Sequence, residues 1–138
     1  MRLSAARITR ICVYCALAVA AEVYLYVAYR AHEARFHWFT HFFVGGSVAL
    51  MIMAGMAWRT RRPVPYPLVW IIVGHLVAMF PDFLFDAGIA HYRWMDVFLG
   101  HLSTHFIPGR NDTWFAVFLA CLALYLVVLD RRVPAERL

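Results

Sequence analysis

HWFTHFFVGGSVALMIMAGMAW, residues 37–58, is the stretch on which the reading of this chain turns. After His41 it carries no charged side chain until Arg59. At 1.5 Å per residue its length matches the hydrocarbon layer of a bilayer, roughly 30 Å. Yet it opens on His37 and His41, four residues apart and therefore on one helical face. An apolar span headed by two imidazoles points to a membrane helix with a chemical task at one end, because ionisable groups at membrane depth are costly.

Three other apolar stretches are long enough to span, at roughly 20 residues each: Ile8–Tyr29, Tyr66–Phe85 and Asp112–Leu129. With Trp38–Trp58 they make four. The chain has 138 residues, 64% of them hydrophobic, and its mean hydropathy is +0.66. Soluble domains are about 45–50% apolar. The expected fold is an all-α integral membrane protein, a four-helix transmembrane bundle forming one domain over residues 1–138. No internal repeat interrupts it. The 86–111 connection is long and not polar. Its segment 91–106 reads as an additional amphipathic helix, interfacial or re-entrant, with His91, Trp94, Phe98, His101 and His105 in a stripe of about 80°.

The net charge of +5 comes from 13 arginines and no lysine. They flank the spans instead of forming a patch, so they argue for membrane topology and against nucleic acid. Arg2, Arg7, Arg10, Arg59, Arg61, Arg62, Arg131, Arg132 and Arg137 fall on one side; Arg30, Arg35, Arg93 and Arg110 fall on the other. By the positive-inside rule both termini are expected in the cytoplasm of a multi-pass protein. The arginine-rich start and Ala18-Val19-Ala20 also fit a cleavable leader. The apolar run, however, continues to Tyr29 without a polar break. Cys12-x-x-Cys15 and Cys121 read as small packing residues, since a redox Cys-x-x-Cys wants a strand-to-helix setting.

The polar residues carry the chemistry. His101 and His105 repeat the spacing of His37 and His41, and Asp82-x-x-x-Asp86 lies between the two pairs. Imidazole and carboxylate suit zinc, iron or manganese. The expected site is one or two divalent ions held by His37, His41, Asp82, Asp86, His101 and His105 near the outer face. His75 falls in the same stripe as Asp82 and Asp86, within about 40°, but roughly 16 Å deeper than Asp86. That depth suits a supporting or proton-path role. Glu22, the one acid inside the first span, is a candidate base, extra ligand or partner for His75, and His91 a candidate proton carrier. The bland alternative for each is a hydrogen bond between helices.

Thr40-His41 with Gly45-Gly46, then Pro81-Asp82, then His101 through Thr104-His105, resembles a family of small bacterial inner-membrane proteins described as metal-dependent hydrolases, one branch under SOS (LexA) control. The likeness covers residues 38–106. The second aspartate stands four residues after Asp82 where the family has two, and Leu102 stands where it has arginine. The resemblance implies a bacterial inner-membrane hydrolase.

Together these readings favour a metal-dependent hydrolase acting at the extracytoplasmic face on a lipid or lipid-linked substrate, alone, as a homo-oligomer or within a larger membrane complex. Competing readings are an oxidative di-iron enzyme, for which a His-His pair is missing; a haem- or quinone-binding electron-transfer subunit using His41 and His75; and a non-catalytic accessory protein whose polar groups join helices. The arginine asymmetry predicts that reporter fusions at Arg62 and Arg132 register in the cytoplasm and one at Arg110 outside. An outside signal from the 59–67 turn would sink the one-sided site.

Overall fold

The structure is a computed structural model and describes residues 5–28, 34–90, 92–100 and 110–134. These residues form helices and turns, with no strand among them. The helices are α1 (Ala5–Ala28), α2 (Ala34–Thr60), α3 (Pro67–Ala78), α4 (Phe80–Asp86), α5 (Arg93–Val97) and α6 (Arg110–Arg132).

Local chemistry sets the boundaries. Arg61 closes α2 in a left-handed conformation (φ 52°), and its N–H donates to the Ala57 carbonyl at 2.9 Å. Pro63, Pro65 and Pro67 then prevent helix from continuing until Pro67 itself takes the first position of α3, where no N–H is needed. Tyr66 provides no side-chain cap. The Tyr14 hydroxyl of α1 does so instead, accepting from the N–H of Leu68 at 2.8 Å and of Val69 at 3.3 Å. The first N–H groups of a helix have no partner within it, and here a side chain of a neighbouring helix accepts two of them.

Contacts between helices fix their directions. Tyr14 lies against Tyr66 and Glu22 against His75, so α1 runs parallel to α3. Gly45 meets Gly74, while Thr40 meets Asn111 and the Arg132 guanidinium lies 3.4 Å over the Trp58 ring. Hence α2 and α6 run together, opposite to α1 and α3. This alternation gathers Arg7, Arg10, Arg59, Arg61, Arg62, Arg131 and Arg132 at one end. The apolar core lies toward that end. Leu50, Met53, Ala54 and Ala57 of α2 close on Tyr125 and Val128 of α6, and Val64 plugs the turn below them.

Large apolar side chains cover the outside, among them Leu17, Val19, Met51, Ile52, Leu126 and Val127. Such a surface needs lipid around it. Among the described residues two helices are long and apolar enough to cross a membrane, Trp38–Thr60 and Asn111–Arg132. A third span results if α3 and α4 count as one, bent by 48°.

The bend falls where Pro81 interrupts the expected 66–85 span. Pro81 has no N–H to give the preceding turn, and its ring crowds the carbonyl four residues back. The chain breaks at Met79 and resumes as α4. The helix expected over 91–106 is also interrupted. Trp94 and Phe98 both rest on Phe80. The α-helix ends at Val97, and Leu99 takes a left-handed conformation (φ 48°) inside a short 3-10 turn, Phe98–Gly100. The two described members of the stripe, Trp94 and Phe98, thus share one neighbour.

At Gly45 and Gly74, α2 and α3 meet backbone to backbone. A Cβ on Gly45 would lie 2.2 Å from the Gly74 carbonyl oxygen, and one on Gly74 would lie 2.4 Å from the Gly45 oxygen. Gly74→Val or Gly45→Val should therefore destabilise the protein by about 1–3 kcal/mol or more, the range of overpacked cores. Gly55→Ala should change little, because nothing lies within 4 Å of its added carbon. Melting curves in detergent would show it; equal midpoints for all three variants would contradict the contact.

Candidate functional site

The glycine contact carries the polar residues inward. His75 follows Gly74 directly and is fully buried, and His41 lies one turn before Gly45 at 2% exposure. Successive residues of a helix point about 100° apart. One stretch of α2, Trp38–Phe42, therefore reaches three neighbours at once. Thr40, fully buried, donates its hydroxyl to Asn111 Oδ1 of α6 at 2.8 Å. His41 Nε2 lies 2.9 Å from Asp82 Oδ2 of α4. Trp38 and Phe42 set their rings edge-on to the His75 imidazole of α3, with centroids 4.9 and 5.4 Å away.

His75 has its own carboxylate: Nδ1 lies 3.0 Å from Glu22 Oε2 of α1. Of the roles open to Glu22, partnership with His75 is the one the geometry displays. The bend after Met79 separates the two pairs. His75 and Asp82 are seven residues apart, roughly 10 Å along a helix, and each turns to a different partner. Three buried polar atoms near the deeper pair, His75 Nε2, Glu22 Oε1 and Trp38 Nε1, have no hydrogen-bond partner among the described residues.

The remaining expected residues are distributed as follows. His37 stands on α2 one turn ahead of His41; its side chain lies outside the described residues. Asp86 is the last residue of α4 and is exposed. His91, His101 and His105 lie outside the described residues. Among the described residues no three His, Cys, Asp or Glu side chains converge as a metal-holding group. Cys12 and Cys15 are exposed free thiols, and Cys121 is a half-buried one.

Sequence reading missed two contributors. Trp38, which the sequence marks only as the start of a span, is 8% exposed and packs on His75. The Thr40–Asn111 bond was not foreseen, although two uncharged polar residues at the same end of different spans are a usable signal. Chemically, an imidazole fixed by a carboxylate can hold a cation or pass a proton, because the carboxylate sets ring orientation and tautomer.

No family model, curated protein or solved structure matches the chain.

The deeper pair should be energetically coupled. Glu22→Leu leaves His75 buried without its partner and should cost about 1–3 kcal/mol. Adding His75→Leu should recover much of that, since two apolar groups have nothing left to satisfy. A double variant as unstable as the two single losses added together would show that the pair does not couple the helices.

Proposed function

We propose that this protein is a membrane-embedded, metal-dependent hydrolase acting at the extracytoplasmic face on a lipid or lipid-linked substrate. One observation carries the reading: the imidazole of His41 and the carboxylate of Asp82, on two different helices, meet at 2.9 Å with exposures of only 2% and 19%. Bringing two such groups together out of water is expensive unless something profits from it. The donor set fits zinc, iron or manganese. His37, one turn from His41, and His101 and His105, in the connection that follows α5, are the proposed further donors. Asp86, one turn from Asp82, would join if a second ion binds.

A divalent ion held there would polarise an ester or phosphoester oxygen and make water acidic, with a pKa near about 7. The chain's own groups do the rest. Asp82 orients the His41 ring. The Thr40–Asn111 bond holds the start of α6 against the outer end of α2, next to His41. Trp38 and Phe42 shield the deeper side, and the Glu22–His75 pair beneath them could relay a proton inward; His91 is the candidate on the outer side. The bundle is proposed to cross the bacterial inner membrane four times with both termini in the cytoplasm. In support, the structure's arginine-rich end lies opposite the His41–Asp82 pair. The resemblance over residues 38–106 favours the same reading.

A second reading has its own support. Glu22–His75 and Thr40–Asn111 are both hydrogen bonds between helices, as a non-catalytic accessory protein would have. Metal content separates the two. Elemental analysis of purified protein should find one or two divalent ions per chain. His41→Ala or Asp82→Ala should lower the content about tenfold or more with helicity retained by circular dichroism. Release of head groups from lipid vesicles should stop on chelation. Metal-free wild type, or full content in both variants, would refute the assignment.

A further inference from the structure

Beside the Glu22–His75 pair lies a cavity of about 440 Å³, within the roughly 300–1,000 Å³ of small-molecule sites. α1 contributes Val19, Glu22 and Tyr26, α2 contributes Trp38 and Phe42, and α3 contributes Ile72. Three features define what could fill it. First, the wall is almost wholly apolar; the polar atoms Glu22 Oε1 and Trp38 Nε1 are buried within it and not offered to the cavity. Second, Val19, Val23 and Phe39 border the cavity and are also exposed. Its mouth therefore opens sideways, on the apolar flank, and not at an end of the bundle. Third, the α1 wall runs from Ala18 to Tyr26, about 12 Å along the helix axis, so the space is elongated.

A quinone or another polar ring system needs hydrogen-bond partners for its head, and this wall presents almost none. A hydrocarbon chain needs only close contact along its length. We propose that the cavity holds one hydrocarbon chain of a membrane lipid, admitted laterally from the bilayer, with the lipid's head group at the His41–Asp82 pair. The head-group end rests on the hydrolase reading; the chain site does not. The two are joined by α2, since Trp38, Phe39 and Phe42 line the cavity while His41, between them, turns to Asp82. Bilayer interior and cavity are equally apolar, so the chain gains little by transfer. Contacts to the head group must therefore select the lipid, and the cavity aligns it.

The test uses the full chain in vesicles containing phosphatidylglycerol with a diazirine midway along one acyl chain. After irradiation, mass mapping should place adducts on Tyr26, Phe42 or Ile72. Ala18→Trp and Ile72→Trp should each cut these adducts roughly fivefold, because an indole fills much of the space a chain would take. Leu126→Trp, on the exposed face of α6, should not. His41→Ala should keep the adducts even where it loses metal. Cavity adducts in a chain that binds no metal would leave the chain site standing and remove the hydrolase. Metal without cavity adducts would do the reverse. Adducts spread over the outer faces and indifferent to both plugging variants would overturn the proposal. So would adducts displaced by a short-chain quinone but not by a saturated fatty alcohol.

Discussion

Gly45 and Gly74 touch backbone to backbone, and the arrangement of the bundle follows from that contact. Neither position has room for a single added carbon. Lipid tails are as apolar as leucine, so helices in a bilayer associate through close packing and hydrogen bonds and not through escape from water. Small residues facing each other permit such packing. The contact also fixes the height of α3 against α2. It brings His75 under Trp38 and Phe42, and sets the break at Met79 level with the start of α2, where Asp82 can meet His41.

Each described histidine side chain then finds a carboxylate on another helix: His75 takes Glu22, and His41 takes Asp82. An isolated polar group is expensive at this depth, and a partly satisfied network remains so. The pairs thus hold the bundle to one register as well as offering chemistry. Pro81 contributes here. In a straight helix His75 and Asp82 would share one stripe. With the 48° bend between them, the two groups still face α2 but take different carboxylate or imidazole partners at different depths.

Polar and apolar functions are segregated along the axis. The aliphatic core around Leu50, Met53 and Val128 lies toward the arginine-rich end. Aromatic rings fill the other half: Trp38 stacks on Phe42, and Phe42 and Phe43 lean on Phe118. Rings are stiff and bulky, and stiff walls leave gaps that flexible aliphatic side chains would close. A cavity beside the Glu22–His75 pair is the natural product of packing an aromatic turn against the small and aliphatic residues of α1 and α3.

The sequence by itself determined the class of structure. Runs of about 20 apolar residues in a row can only be helices in lipid, because no other single segment satisfies its own backbone there. It also determined the alternating directions and the gathering of the arginines at one end, through charge placement. It singled out His41, Asp82, Glu22 and His75, since charged or ionisable groups stand out in an apolar run. Gly45 and Gly46 stand out as an adjacent pair, but Gly74, the counterpart of Gly45, looked like any glycine. Which carboxylate each histidine would meet was decided by the tertiary structure alone. Helical periodicity tells which residues of one helix share a face; it says nothing of which neighbour that face will find. The unbroken helix over 91–106 was a local reading: Trp94 and Phe98 pack on Phe80, and the left-handed Leu99 interrupts the helix.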